Sequence, residues 1–224
     1  GEGNETIVED GATLDFNGSY NSSGTAERFT IAGSGVDGKG VLVNTGTDMV
    51  NKDIAGVTLS DDAVVGGPFR MDFAVVTGNG KTFTKTGNHQ LCVKNLTNAT
   101  VVINQGMYTL LSDNRALGGT SPGDTTVNGG TLNAWNTMTI PERITFNGGA
   151  IAQGNANLQT FTLSGYLTVN SNVNFTSSSI TNGVEISGYV DGPGGFSQTG
   201  VGWCYITGNT NAYTGPTTIN GGCP

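Results

Sequence analysis

A short phrase that the chain repeats constrains its fold more than any other feature. TTVNGGTLNA occupies 125–134, a looser copy, ITFNGGAIAQ, occupies 144–153, and TTINGG recurs at 217–222. The first two copies align when Val127 is placed over Phe146. Self-similarity at a period of about 20 residues is typical of solenoid proteins, in which each repeat forms one turn of a stack. The sequence therefore predicts a solenoid.

Between these phrases the chain alternates apolar and polar residues over short segments such as RFTIAG, TFTLSG and VEISG. This period of two is typical of strands that bury one face. The chain has 37 glycines, and its Asn-Gly, Gly-Gly and Asp-Gly pairs supply the backbone angles that tight corners need. No segment of helical length has a convincing helical period. We therefore predict an all-β chain built as a parallel β-helix (β-solenoid).

The charge pattern narrows the partners that we expect. Only 12% of residues are charged, the net charge is −8, and the nine basic residues form no run. A surface that binds nucleic acid is therefore not expected. The apolar runs are too short to span a bilayer. The chain opens directly in a strand-like segment, ETIVEDGATLDF, as a processed and secreted mature fragment would.

Two longer segments share one plan. GKTFTKTGNHQLCVKNLTNATVVINQG at 80–106 and GGFSQTGVGWCYITGNTNAYTGPTTINGG at 194–222 both begin with an aromatic residue and a Thr-Gly pair. Both continue through a short strand and a polar loop to an Ile-Asn strand end. With the RALGGTSPGDTTVNGGTL segment that follows the first copy, they resemble the autotransporter-associated β-strand repeat, also called the passenger-associated transport repeat.

The resemblance implies a right-handed parallel β-helix in a bacterial secreted or cell-surface protein. It covers less than half of the chain, and the remainder matches only in style. We expect one β-helix domain over 1–224, with recognisable repeat units at 80–132 and 194–222.

Two of the three cysteines are separated by the same interval as the repeats. Cys223 follows Cys204 at the spacing that separates Phe146 from Val127. Residues one turn apart in a parallel stack lie about 4.8 Å apart. A disulfide between the two cysteines fits this spacing, and two free thiols fit it equally well. Cys92 is expected to be a small buried hydrophobic residue.

Trp203 and Tyr205 alternate with Cys204 and Ile206, which are expected to point inward. The two aromatic side chains should therefore face outward together. Such a pair can stack on sugars, form a protein contact, or lie under a neighbouring loop. All three interpretations stay open.

One pair of acidic residues suggests catalysis. Asp61-Asp62 in LSDDAV, with Asp48 upstream, resembles the paired carboxylates of polygalacturonases. Inverting hydrolysis needs one carboxyl group as acid and another as base. The chain lacks the Gly-His-Gly and Arg-Ile-Lys motifs of those enzymes, so we expect Asp61-Asp62 to form a turn between strands.

For other kinds of catalysis the sequence offers even fewer candidate residues. His89 is the single histidine and is expected to be an exposed loop residue, whereas Arg70 and Arg115 look isolated. A triad would have one candidate base only. The sequence shows no metal-ligand spacing and no cofactor motif, so neither a metal nor a cofactor is expected, and we predict that the protein is not an enzyme.

The ends of the predicted stack suggest a function. Neither terminus carries a capping helix or a charged, Pro-rich cover, although an open turn exposes unpaired backbone groups. End-to-end stacking of copies would cover both ends, and a cut fragment of a longer passenger would also look this way. We expect a non-enzymatic extracellular or cell-surface structural protein that forms a filament with itself. The alternatives are a polysaccharide-binding or polysaccharide-cleaving β-helix and an adhesin with a cell-surface ligand.

Overall fold

The structure is a computed structural model that describes residues 5–18, 27–47, 50–112, 117–118, 124–154 and 158–222. These residues form a parallel β-solenoid. Among them a short 3₁₀ turn covers Val36–Gly38, and no α-helix is present. The predicted all-β solenoid is therefore confirmed.

The chain forms 22 strands in the described ranges. In chain order they are β1 Glu5–Val8, β2 Leu14–Asp15, β3 Arg28–Gly33, β4 Leu42–Val43, β5 Val50–Ile54, β6 Gly56–Gly66, β7 Met71–Lys85, β8 Gln90–Ile103, β9 Met107–Leu110, β10 Thr125–Val127, β11 Thr131–Ala134, β12 Met138–Ile140, β13 Ile144–Phe146, β14 Ala150–Gln153, β15 Thr160–Leu163, β16 Leu167–Val169, β17 Val173–Ser177, β18 Gly183–Ile186, β19 Val190–Asp191, β20 Phe196–Gln198, β21 Trp203–Ile206 and β22 Thr217–Ile219.

Each turn contributes to three parallel ladders, which we number in the order in which a turn visits them. Ladder 1 joins β1, β3, β6, β7 and β8 in the early turns and β12, β15, β18 and β21 in the later ones. Ladder 2 joins β2, β4, β6, β7, β8, β10, β13, β16 and β19. Ladder 3 joins β5, β7, β8, β9, β11, β14, β17, β20 and β22. The long strands β6, β7 and β8 run around corners and so belong to more than one ladder.

The repeated phrase sets the register of the middle turns. Val127 pairs with Phe146, which confirms the predicted alignment of the first two copies. These two copies lie at the corner between ladders 2 and 3. The last copy instead places Thr217–Ile219 in ladder 3. The phrase is thus a strand end plus a corner that the chain uses at more than one position of the turn.

Columns of inward side chains form the core. In ladder 2 one column consists of Val65, Lys85, Ile103, Val127, Phe146 and Val169, all with no exposed surface. Fully burying one aliphatic or aromatic side chain contributes about 1.5–3 kcal/mol. Stacking therefore stabilises strands that are too short to bury a useful face alone.

An asparagine ladder runs along the corner that follows ladder 2. The side-chain amides of Asn128, Asn147 and Asn170 each donate to the side-chain oxygen of the asparagine one turn below, beginning at Asn104, at 2.8 Å. Each asparagine N–H also donates to a carbonyl of the turn below. The Asn of the repeated Asn-Gly-Gly phrase therefore links successive turns through both its backbone and its side chain.

The second glycine of the phrase is required where adjacent corners nearly touch. Gly149 has a φ of 90°, and a Cβ atom there would lie 2.2 Å from the carbonyl oxygen of Gly130, one turn below. Any side chain at this position would force the two turns apart. The Gly-Gly pair is thus a steric condition for stacking.

We predict that Gly149→Ala destabilises the fold far more than Gly11→Ala. Gly11 has a similar φ of 80° but no atom within 4 Å of its Cβ position. Gly11→Ala should therefore cost about 1–2 kcal/mol from the backbone angle alone. Gly149→Ala should cost at least about 2 kcal/mol more, since the ladder must also shift. Urea denaturation of the two variants measures the difference, and equal losses would contradict the steric account.

Candidate functional site

The aromatic pair on β21 lies on the outer surface of ladder 1. Cys204 and Ile206 pack against the core, and Tyr205 is 57% exposed. The ring centroids of Trp203 and Tyr205 are 4.8 Å apart, and their planes differ by 31°. The two rings therefore stack on each other outside the sheet. Their planes are closer to parallel than to perpendicular.

A glycine one turn below allows this arrangement. Trp203 pairs with Gly183, and a Cβ atom at Gly183 would lie 2.0–2.3 Å from three atoms of the indole. The indole therefore lies against the backbone of Gly183, in the preceding turn. Any side chain at Gly183 would lift the ring off the sheet.

A fixed carboxylate adjoins the aromatic pair. Glu185 lies next to Tyr205 in register and is half-buried. The hydroxyl of Thr207 donates to its Oε1 at 3.0 Å, and the hydroxyl of Thr162 donates to its Oε2 at 3.3 Å. Two hydroxyl groups from neighbouring turns thus hold the carboxylate in one orientation.

The cysteines are placed as follows. Cys204 is half-buried, and burial raises the pKa of its thiol to about 12. Cys92 is fully buried, as predicted, and burial raises the pKa of its thiol as well. Cys223 lies outside the described residues, so a Cys204–Cys223 disulfide stays a prediction.

The paired carboxylates do not form the predicted turn. Asp61 and Asp62 lie within β6, where the pairing with β7 shifts register at a bulge. Asp61 forms an ion pair with Lys81 at 2.9 Å, and Asp62 accepts the backbone N–H of Thr82 at 2.8 Å. The hydrogen bond from Lys81 lowers the pKa of Asp61. A general acid needs a raised pKa instead, and Asp48, the third carboxylate of this hypothesis, lies outside the described residues.

Arg70 is not isolated, which corrects the prediction. Its guanidinium donates two hydrogen bonds of 2.7 Å to the buried carboxylate of Asp72 and lies 4.8 Å from the ring centre of Trp135. Such bidentate pairs are strong and geometrically specific. Trp135 belongs to a later turn, so Arg70 links two turns that are far apart in the chain. Arg115 lies outside the described residues.

His89 is also placed differently from the prediction. It is only 3% exposed, because the turn that carries it is stacked under the next one, whose Met107 N–H donates to the His89 carbonyl. Neither ring nitrogen forms a hydrogen bond of normal geometry with a described residue. Burial and the charge of Lys85 lower its pKa to about 3, although a backbone group of Gly67 opposes the shift.

Lys85 is a buried charged residue that the sequence interpretation did not single out. It occupies an inward position of ladder 2 and has no exposed surface. Its ammonium donates to the carbonyls of Thr86, Gly87 and Gln105 at 2.7–2.9 Å. Burial lowers its pKa to about 7. The alternation in TFTK, which puts Phe83 and Lys85 on the same face, was the available signal.

Three concave surfaces of the described residues are large enough to hold another molecule. A cleft of about 560 Å³ lies beside the Val36–Gly38 turn. A second cavity, of about 490 Å³, opens at the last described turn and is lined by residues that include Phe196, Ile219 and the aromatic pair. A third cleft, of about 420 Å³, is lined by residues that include Asp61 and Asp62. All three volumes lie within the range of ligand pockets.

No metal centre forms among the described residues, since no three His, Cys, Asp or Glu side chains cluster there. That part of the chain also has no helix that is long and apolar enough to cross a membrane.

Comparison of the chain with protein-family models, with curated proteins and with solved structures finds no match.

We predict that His89 makes the folded state sensitive to acid. Its pKa in the folded protein lies below the value of 6.5 in the unfolded chain, so the unfolded chain binds the proton first. The stability that neutral His89 contributes is complete above pH 6.5 and is lost as the pH falls towards 3. Relative to His89→Leu, the wild type should lose up to about 1.4 kcal/mol per pH unit in this window.

Urea denaturation of both proteins between about pH 3.5 and 7.5 measures this difference. Acidic residues titrate in both proteins, so subtraction removes their contribution. A difference that does not change with pH would contradict the buried, neutral histidine.

Proposed function

We propose that the protein is a non-enzymatic extracellular structural subunit whose copies stack end to end into a rigid filament. The observation that carries this proposal is the open core at the last described turn. The repeat resemblance supports the extracellular setting, and the continuous ladders support a mechanical role.

The open core consists of residues that are covered in every preceding turn. Ile219 follows Gln198, Phe175 and Ile151 in one column of ladder 3. Ile219 is 76% exposed, whereas Phe175 is 3% exposed and Ile151 is fully buried. The described residues place a further rung on Phe175 and Ile151 but none on Ile219. Another turn on this end would bury Ile219 as its predecessors are buried.

One edge of each strand at this end also lacks hydrogen-bond partners among the described residues. There β21 pairs only with β18, and β22 pairs only with β20. A free edge presents a row of N–H and C=O groups that recruits another strand. Such an edge next to an exposed apolar column is suited to continue the stack.

The first turn of a second copy is suited to be that continuation. β1 has a free edge in the described residues, since it pairs only with β3, and its inward column holds Thr6 and Val8. The segment before Arg28 carries six acidic and no basic side chains, whereas 192–224 carries no charged side chain. Two first turns would repel each other, because both are acidic. A first turn placed on a last turn meets no such repulsion. The contact is therefore head to tail, which builds an open filament.

Polysaccharide cleavage has less support. The ion pair with Lys81 keeps Asp61 ionised, although a general acid must carry a proton. Asp62 lines a cleft with Asp10 and Asp61, but it accepts a hydrogen bond from the backbone N–H of Thr82, which favours its ionised form as well. The proposal therefore assigns Asp61 and Asp62 to the bulged corner of β6.

We predict that Ile219→Glu prevents assembly, whereas Ile180→Glu does not. Both isoleucines are exposed, at 76% and 57%, so neither substitution removes a buried side chain. Glutamate at 219 places a charge on the open core opposite the acidic first turn of the next copy. Light scattering across a dilution series, with electron microscopy of the same samples, should show fibres for wild type and Ile180→Glu only. Stable wild-type monomers at every concentration would overturn the proposal.

A further inference from the structure

We propose that Trp203, Tyr205 and Glu185 form a binding site for a sugar ring of a neutral polysaccharide, on the side of the solenoid. Both rings also line the cavity at the last described turn, so the site adjoins the surface on which the filament proposal rests. It would tether the structural rod to a glycan matrix.

The aromatic part of the site is prepared before any ligand arrives. Trp203 lies against Gly183, and Tyr205 leans on the indole, so both rings are held by the sheet. Rigid aromatic rings offer contact area at a low cost in conformational entropy. The exposed ring of Tyr205 can then stack on the C–H face of a pyranose, which is an apolar surface bordered by hydroxyl groups.

The polar part of the site is also fixed. The hydroxyls of Thr162 and Thr207 each use one position on the Glu185 carboxylate. A carboxylate has about four acceptor positions, so others stay available to sugar hydroxyls. Hydrogen bonds from hydroxyl groups to a carboxylate are short and strong. A purely apolar protein partner would gain nothing from a carboxylate at this place.

The charges select a neutral ligand. The strands of ladder 1 around the site, β12, β15, β18 and β21, carry Glu185 as their one charged residue. The whole chain has a net charge of −8. A polyanion such as polygalacturonate would meet repulsion at the site and from the rest of the rod. A neutral glucan or mannan avoids this cost.

The site adjoins the open end. Trp203 and Tyr205 lie on β21, which has a free edge in the described residues, and both line the end cavity together with Ile219. Binding is therefore measured on wild-type protein diluted until light scattering shows monomers, which leaves this cavity unaltered and uncovered. Failure of the protein to assemble then does not affect the result.

The test measures retention of the dilute wild-type protein on insoluble cellulose, β-1,3-glucan and mannan, followed by calorimetric titration with the matching hexasaccharides and with polygalacturonate. We expect binding to at least one neutral glycan and none to polygalacturonate. Tyr205→Ala should weaken the affinity at least tenfold, and Glu185→Gln should weaken it severalfold. Tyr205 is exposed, so its loss leaves the core intact.

Tyr189→Ala is the matched control. Tyr189 is also an exposed tyrosine in a stacked pair, with a centroid distance of 5.0 Å to Tyr166. That pair is joined instead to Arg143, which lies 5.3 Å from the Tyr166 ring centre. Tyr189→Ala should bind as the parent does. Binding to none of the neutral glycans, binding to polygalacturonate alone, or equal losses in Tyr189→Ala and Tyr205→Ala would each overturn the proposal.

Discussion

The parallel hydrogen-bond ladder between successive turns is the constraint on which the rest of this structure depends. Short strands make up most of the chain, and no such strand can satisfy its backbone or bury its inward face without another turn beside it. Each turn is therefore covered by one neighbouring turn, and its other edge can pair with a further turn. The same rule that builds the interior leaves the last described turn with a free edge and an exposed apolar column.

The side chains at the corners serve this ladder. The asparagine column from Asn104 to Asn170 joins turns by amide hydrogen bonds, and Gly149 lets its corner approach the one below. Between the corners, the outward positions are free to carry other chemistry. On ladder 1 that freedom places two aromatic rings and a fixed carboxylate on a rigid surface, without any change to the core.

Sequence patterns predicted the features that depend on neighbours in the chain. The repeated phrase predicted the solenoid and the pairing of Val127 with Phe146, and alternation predicted the inward and outward sides of β21. The wrong predictions concern residues whose neighbours in space belong to other turns. His89 lies in a polar turn but is covered by the following turn, and Arg70 contacts Trp135 from a distant one. Local pattern cannot show which turn covers which, because turn lengths vary along the chain.

The most direct test of the account is disulfide cross-linking between copies. In a head-to-tail joint the inward Cys204 of one copy meets the inward column of β1 in the next, where Thr6 would lie about 4.8 Å away. Thr6→Cys, in a Cys223→Ser background, should therefore yield a ladder of covalent oligomers on mild oxidation. Ile7→Cys, whose side chain faces outward, should not. Thr6→Cys protein that stays monomeric under these conditions would contradict a filament built by continuing the stack.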